Sequence, residues 1–364
     1  MKVVKSFLAV NPVSRLFTSA ITKLIVAIFI LLLFVNINSC NNITEPEIQP
    51  GRRDYVWEVD TLNYPYATLI RLWGSSPKDV WATSPGDAGK TISHFNGKSW
   101  SSYSVGGMNT PHSIWGDSYN NVFIAANGGE VWKYDGSSWT KFAEITKDGR
   151  SDISFNNIWG KSRNDFYVFG GYPDTIVRAY NISVIAHYHD NKWEILNTAP
   201  IFGMIAHLYE NASDGKVYFQ ALKIGGAIHP DSTIIYEYSQ KKYKKLYSSV
   251  WTWGEQAFLS LINNEVYFIL GNRIAKRVND QFQTFLKIDN PNFYQLMWGR
   301  SSRDLFFYMT DGLVHYNGSN FEYLLHFDKP RTHVFGSALF EKDVFFLVYE
   351  SATKLNLIYR GKIN

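Results

Sequence analysis

Short apolar stretches separated by polar turns follow one another from about residue 54 to the end of the chain. In residues 72–100, LWGSSPKDVWATSPGDAGKTISHFNGKSW, an apolar stretch that ends in Trp-Gly leads through a polar turn to VWAT. A glycine-containing turn, the stretch ISHF, an Asn-Gly pair and a final Trp follow. Short apolar runs bounded by such turns are typical of β-strands. The pattern predicts a unit of four antiparallel strands.

This unit recurs along the chain. Trp-Gly pairs begin at Trp73, Trp115, Trp159 and Trp298, and the first three are 42 and 44 residues apart. Copies without Trp-Gly begin at His207, Ser260 and Val334. Repeats of roughly 40–45 residues with four strands each are typical of β-propeller blades. The sequence predicts an all-β, seven-bladed propeller over residues 54–364, with six blades and a separate module as the alternative.

The two chain ends predict how the ring closes. The last copy ends with IYRGKIN, which corresponds to a third strand and its turn, so its fourth strand is missing. The segment DYVWEVDTL, residues 54–62, precedes the first Trp-Gly copy and has the pattern of a fourth strand. Pairing of the two would remove an exposed sheet edge. We therefore expect the N-terminal strand to complete the C-terminal blade.

Composition and charge narrow the choice of partners. Aromatic residues make up 16% of the chain, which favours strands over helices. The formal charge of +4 comes from residues 1–39, which contain four basic and no acidic residues; the remainder has 32 of each. A neutral domain gives no electrostatic reason to expect a nucleic-acid partner.

The N-terminal segment is predicted to contain an export signal. Residues 24–35, LIVAIFILLLFV, form an apolar run that suits a signal peptide and is too short to span a membrane. The only cysteine, Cys40, follows closely. This arrangement resembles a bacterial lipoprotein signal, which implies a signal peptide over residues 1–39, lipidation of Cys40 and a flexible tether over residues 40–53. Asn41, in place of an aspartate, implies the outer membrane. The alternatives are an uncleaved N-terminal anchor or a buried cysteine that is not lipidated.

The repeats also resemble a known group. The pattern WGxSxxDV(Y/F) resembles the repeats of exported bacterial β-propellers of the kelch-like or sialidase-like kind, and the resemblance covers residues 54–364. It implies the architecture but no particular activity, because such propellers serve many functions. The sialidase motif SxDxGxTW is absent.

Motifs for catalysis or cofactor binding are not found in the sequence. It has no P-loop, GxGxxG, HExxH, GxSxG or CxxC motif, so we expect no cofactor. Histidines recur at one blade position (His94, His187 and His315), which favours a structural role over metal binding. Acidic residues recur at the turn between first and second strands (Asp79, Asp165, Asp304 and Asp343), where they are predicted to cap turns. No catalytic or metal-binding residue is predicted; the alternative is an envelope glycan hydrolase or lyase with carboxylates in the central channel.

The loops between blades predict a binding rim, because several combine aromatic residues with proline. Aromatic faces beside amide and histidine groups favour sugars or peptide segments. The residues predicted to contact a ligand are Tyr64, Tyr66, His112, Phe202, Trp251, Trp253, Phe293, Arg331 and His333. Two long loops, residues 170–183 and 221–233, are expected to project together as a docking lip. The sequence thus predicts a monomeric domain, lipid-anchored in the cell envelope, that binds or scaffolds a protein or glycan.

Overall fold

The computed structural model describes residues 49–62, 68–86, 89–226, 230–252 and 254–364. Within these ranges, 28 β-strands form seven antiparallel sheets of four strands each. No helix in the described ranges is long and apolar enough to cross a membrane. The predicted signal peptide and Cys40 lie outside the described residues.

Both chain ends contribute to one sheet. The first strand, β1 (Tyr55–Leu62), pairs antiparallel with the last strand, β28 (Leu355–Ile363). Tyr55 lies opposite Ile363, and Leu62 lies opposite Asn356. The other two strands of this sheet are β26 (Thr332–Leu339) and β27 (Asp343–Glu350). The prediction that the N-terminal strand completes the C-terminal blade is confirmed, and we number this sheet blade 7.

The remaining six blades each use four consecutive strands. Blade 1 contains β2 (Arg71–Ser76), β3 (Asp79–Thr83), β4 (Ile92–Phe95) and β5 (Trp100–Tyr103). Blade 2 contains β6 (Pro111–Ser118), β7 (Asn121–Ala126), β8 (Glu130–Tyr134) and β9 (Trp139–Glu144). Blade 3 contains β10 (Ser154–Ser162), β11 (Asp165–Tyr172), β12 (Ile182–His189) and β13 (Lys192–Ile195).

Blades 4 and 5 lack the Trp-Gly pair, and blade 6 contains it again. Blade 4 contains β14 (Met204–Glu210), β15 (Val217–Lys223), β16 (Ser232–Ser239) and β17 (Lys242–Val250). Blade 5 contains β18 (Ala257–Ile262), β19 (Glu265–Leu270), β20 (Arg273–Val278) and β21 (Gln281–Lys287). Blade 6 contains β22 (Phe293–Ser301), β23 (Asp304–Met309), β24 (Gly312–Tyr316) and β25 (Phe321–His326).

Among the described residues, seven clusters of buried apolar side chains join the blades. Each cluster combines two consecutive blades, for example Ile92 of blade 1 with Ile124 of blade 2. Phe95 of blade 1 packs with Phe345 of blade 7, with 6.0 Å between the ring centroids. A blade is apolar on both faces and buries them only against its neighbours. The chain therefore forms a closed ring of seven blades, and the six-blade alternative is wrong.

The Trp-Gly pairs are contacts between neighbouring blades. The Trp73 ring lies beside Gly116 of blade 2, where a Cβ atom would come within 2.7 Å of the ring and 2.6 Å of the Asn121 carbonyl oxygen. A Cβ would also lie within 2.9 Å of the carbonyl oxygen five residues further on at Gly74, Gly160 and Gly299. The strand pairing shifts register just after each of these glycines. Glycine is required here because only glycine permits this close approach.

The ring has two rims that differ in their connections. Turns between the first and second and between the third and fourth strands form the hairpin rim, for example the turn at Asn96 and Gly97. Connections between blades and loops between second and third strands form the crossover rim, because strand direction alternates. Its described parts include residues 104–110, 145–153, 173–181, 196–203, 224–226, 230–231, 251–252, 254–256, 288–292 and 327–331.

Residues 49–54 run along blade 6 at the hairpin rim before β1 begins. The Gly51 N–H group donates to the Arg303 carbonyl oxygen at 2.8 Å. The Arg53 guanidinium donates to the carbonyl oxygens of His315 at 3.0 Å and Asn320 at 2.6 Å. The last residues of the predicted tether are therefore bound to the propeller.

Candidate binding site at the crossover rim

The recurring aspartates and histidines form hydrogen-bonded pairs near the hairpin rim. The three pairs, each joining His Nε2 to Asp Oδ1, are Asp79–His94 at 2.7 Å, Asp165–His187 at 2.8 Å and Asp304–His315 at 2.7 Å. In blade 1, His94 stacks on Trp81 with 3.7 Å between ring centroids, and Asp79 also accepts a hydrogen bond from Ser75 Oγ. Burial opposes ionisation of Asp79, but bonds from His94 and Ser75 outweigh it, and its pKa is lowered. Each pair links the second and third strands of its blade, and only in blade 1 is the aspartate also shown to contact a turn hydroxyl.

Neighbouring histidines in blade 3 do not form a metal site. His189 contacts Asp190 at 3.2 Å and Glu194 at 3.1 Å. In the part of the chain that the structure describes, no group of three or more His, Cys, Asp or Glu side chains is arranged to hold a metal ion.

The two long loops that were predicted to form a docking lip contact each other on the crossover rim. Asn181 Nδ2 donates to the Ile224 carbonyl oxygen at 2.8 Å, and the Ile224 N–H group donates to Asn181 Oδ1 at 2.9 Å. Asn181 also donates to Asp174, which is buried and accepts bonds from backbone N–H groups of its own loop, including that of Val177. We define the lip as residues 173–181, 197–203, 223–226, 231 and 250–252.

The lip continues to Trp251 through backbone contacts. The Trp251 N–H group donates to the Asp231 carbonyl oxygen at 2.8 Å, and Asp231 Oδ1 accepts from the Gly225 N–H group at 2.9 Å. Gly225 follows Ile224, the residue that Asn181 binds. Loops of blades 3 and 4 are therefore tied into one surface.

Several large apolar side chains of the lip are exposed. Ile176 is 78% exposed, Tyr180 is 41% exposed, and Phe202 and Trp251 are each 38% exposed. A cleft of about 580 Å³ opens beside Phe202 and is also lined by Lys147. Exposed apolar groups beside a cleft are typical of surfaces that bind other molecules.

The other residues that were predicted to contact a ligand do not all lie on an exposed part of the rim. Phe293 is only 2% exposed and packs between blades 5 and 6, so it presents no surface at the rim. Arg331 is exposed, and His333 is half-buried against Tyr294 and Phe335. Tyr64, Tyr66 and Trp253 lie outside the described residues. The remaining residue, His112, lies near the start of an inner strand.

An arginine that the sequence analysis did not single out crosses the mouth of the channel. Arg71, the first residue of β2, donates from Nη1 to the Ile70 carbonyl oxygen at 2.9 Å and from Nη2 to the Asn156 carbonyl oxygen at 3.2 Å. Arg71 belongs to blade 1 and Asn156 to blade 3, and these blades are not neighbours in the ring. The side chain therefore spans the channel at its crossover end.

Neutral polar groups surround the Arg71 guanidinium. Burial lowers the pKa of His207 to about 3, and the nearby Arg71 charge adds to the effect. Burial and Arg71 also lower the pKa of His112, while burial raises the pKa of Tyr209 to about 12. His207 and Tyr209 lie close together, with 3.4 Å between Nδ1 and the hydroxyl oxygen. At neutral pH, the only charge in this group is that of Arg71.

Irregular pairing brings several of these residues to the channel. The register between first and second strands shifts at His112, at Asn156, at Ala206 and at Phe335. Such bulges redirect side chains and are common next to binding sites. The signal in the sequence is weak: Arg71 stands two residues before a Trp-Gly tryptophan, where the next two copies have Ser113 and Asn157.

The described residues form a seven-bladed β-propeller, and several solved propellers are similar to it. A catalytically inactive variant of virginiamycin B lyase from Staphylococcus aureus, solved with quinupristin, has a TM-score of 0.63 and 13% identity; the match covers 85% of this chain and 100% of that one. The structure of YCF48 bound to D1 peptide has a TM-score of 0.57 and 14% identity, covering 88% and 100%. The WD40 propeller domain of Doa1 has a TM-score of 0.54 and 8% identity, covering 84% and 97%.

These similarities establish the fold. No protein-family model matches the chain, and no curated protein sequence matches it. The role of the rim must therefore be argued from its own residues.

Proposed function

We propose that this chain is a lipid-anchored propeller of the bacterial envelope that binds a protein segment on its crossover rim. The observation that carries the proposal is the lip, where hydrogen bonds between Asn181 and Ile224 fix two long loops and Ile176 is 78% exposed. Fixed loops present a preformed surface, so the loops themselves lose less conformational entropy when a ligand binds. YCF48, a structure of similar fold, is bound to a peptide, which is consistent with this role.

A protein segment suits the lip better than a glycan does. Its exposed large side chains include the aliphatic Ile176 as well as Tyr180 and Phe202. Sugars stack on flat aromatic faces, whereas aliphatic side chains contact apolar residues of a polypeptide. A glycan ligand is the alternative that the experiment below separates.

The anchor and the binding surface would lie on opposite rims. Gly51 is bound to blade 6 at the hairpin rim, and only residues 41–50 separate it from Cys40. Ten residues span at most about 35 Å when fully extended. A lipid on Cys40 would hold the hairpin rim toward the bilayer and leave the crossover rim facing away from it.

Capture from an envelope extract tests the binding role. We expect the double variant Ile176→Asp, Trp251→Ala to lose retention of its partner, because it removes apolar contacts and adds a charge to the lip. Tyr119→Ala is the matched control, since Tyr119 is 64% exposed but lies on the hairpin rim. Protease treatment of the extract should abolish retention. Equal retention by the double variant, or survival of retention after proteolysis, would contradict a protein ligand at the lip.

Fractionation tests the anchor independently. Cys40→Ser should move the protein from the membrane fraction to the soluble fraction, because lipidation requires the thiol. If the variant stays in the membrane, the apolar run at residues 24–35 is an uncleaved anchor.

A further inference from the structure

Arg71 is a part-buried cation without an acidic partner among the described residues. Among the described residues, its two hydrogen bonds go to the backbone carbonyl oxygens of Ile70 and Asn156, and its buried Nε atom has no partner there. A guanidinium carries five N–H donors. The described residues therefore leave most of its hydrogen-bonding capacity unused.

Four other part-buried arginines of the described residues are paired with carboxylates. These pairs are Arg53–Glu322, Arg277–Glu237, Arg300–Asp304 and Arg360–Glu58. Burial of a charge without a partner is unfavourable. Arg71 differs from these four arginines because it has no carboxylate partner among the described residues. Such a departure from the rules that the rest of a fold follows is typical of a functional site.

The neighbours of Arg71 are suited to an anion. His112 and His207 have lowered pKa values and are neutral at pH 7, so each ring carries one N–H donor. Tyr209 and His207 lie within hydrogen-bonding distance of each other, so together they leave one donor free, and none of these groups is negatively charged. The site therefore offers one positive charge and several donors at the mouth of the channel.

We infer that Arg71 is the centre of a carboxylate-binding site at the crossover end of the channel. A planar guanidinium matches a carboxylate through two parallel hydrogen bonds, and one positive charge balances one negative charge. Only the source of the carboxylate rests on the proposed function. That source would be the C-terminus or an Asp or Glu side chain of the bound protein segment.

Titration with sodium acetate tests the site without knowledge of the partner. The full chain, solubilised in detergent and labelled at its histidine rings, is followed by NMR through the signals of His112 and His207. We expect acetate to shift these signals in a saturable way and acetamide, its neutral analogue, to leave them unchanged. An equal response to acetate and acetamide would overturn the inference.

Three variants separate binding from a structural role. Arg71→Met should weaken the response to acetate at least tenfold and leave the melting temperature unchanged or raised, because it removes an unpaired charge. Arg300→Met should lower the melting temperature, because it leaves Asp304 without its arginine. Arg273→Met removes an exposed charge from the same rim and should retain the acetate response. If Arg71→Met destabilises the protein as much as Arg300→Met, Arg71 is a structural residue and the inference fails.

Two peptides distinguish the sources of the carboxylate. Trialanine with a free C-terminus and N-acetyl-Ala-Glu-Ala amide are each added in competition with acetate, and the stronger competitor identifies the group that the site prefers. If neither peptide competes, the site does not accept a peptide carboxylate. Failure of the proposed function gives a different result. In that case the lip variant would still capture the partner, and the acetate response of Arg71 would be intact.

Discussion

Trp57 and Gly361 lie opposite each other in the strand pair that joins the two ends of the chain. A Cβ atom at position 361 would come within 3.0 Å of the Trp57 ring and 2.9 Å of Val344 Cγ2. The absent side chain leaves room for the tryptophan, which packs against Phe346 with 6.4 Å between ring centroids. The ring is thus closed by side-chain packing as well as by backbone hydrogen bonds.

Trp57→Ala should weaken the closure of the ring. The change removes a half-buried aromatic side chain, and we expect it to lower the free energy of unfolding by about 2–3 kcal/mol, less than for a fully buried tryptophan. Val59→Ala is the control, because Val59 lies on the same strand and is 49% exposed; it should change stability by less than about 0.5 kcal/mol. Urea unfolding of both variants measures the difference, and equal effects would show that the Trp57 contacts do not hold the ends together.

Gly116→Ala tests why the Trp-Gly pairs contain glycine. The added Cβ would lie 2.6 Å from a carbonyl oxygen and 2.7 Å from the Trp73 ring, so blades 1 and 2 must move apart. We expect a loss of about 1–3 kcal/mol. Gly106→Ala is the control, since nothing lies within 4 Å of its Cβ and its φ is not positive. Thermal unfolding should separate the two, and a neutral Gly116→Ala would contradict the close-approach explanation.

Much of the fold could be predicted from local sequence patterns. Strand and turn signals repeat at a nearly constant spacing, and the unpaired fourth strand at residues 54–62 matched the missing strand of the last copy. Six blades remained possible because blades 4 and 5 lack Trp-Gly. In those blades Tyr209 and Ser260 pair with Tyr218 and Tyr267 at the equivalent places, and the apolar strands alone suffice for packing.

The candidate site was harder to predict because its residues are distant in sequence. Arg71 lies across the channel because it binds Asn156, which is 85 residues away in the sequence and two blades further round the ring. No local pattern reports such a contact. Phe293 shows the opposite error: its loop is rich in aromatic residues, but Phe293 is the first residue of an inner strand and faces the neighbouring blade.

Asp304→Asn should be more destabilising than the same change in another blade. Asp304 accepts bonds from Arg300 Nε at 2.5 Å and His315 Nε2 at 2.7 Å, and its side chain is 10% exposed. Loss of the carboxylate leaves the part-buried Arg300 without its counter-charge, at a cost of about 3–5 kcal/mol. Asp165→Asn is the matched control, because the Asp165 side chain is 32% exposed; it should cost about 1 kcal/mol. Chemical unfolding at pH 7 compares them, and a larger effect at Asp165 would contradict this ranking.

Stability should fall between pH 7 and pH 5, in part because of His207. The pKa of this histidine is about 3 in the folded chain, against an ordinary value of 6.5, because its partial burial and the Arg71 charge both disfavour the protonated form. Below pH 6.5 the unfolded chain binds a proton that the folded chain does not bind. Acid therefore favours unfolding, by about 1.4 kcal/mol per pH unit or about 2 kcal/mol at pH 5 for this one group.

His207→Gln should remove this part of the pH dependence, since glutamine does not titrate. Urea unfolding of the variant and the parent chain at pH 7, 6 and 5 measures the effect. We expect the difference in stability between pH 7 and pH 5 to be smaller in the variant by up to about 2 kcal/mol. The remaining pH dependence in this range should come from other histidines with lowered pKa values, such as His112 and His315; the lowered pKa of Asp304 makes acid destabilising only near and below its ordinary value of 3.8. An unchanged pH profile would mean that His207 is solvated and titrates normally in the folded protein, and the channel mouth would then be more open to water than its contacts indicate.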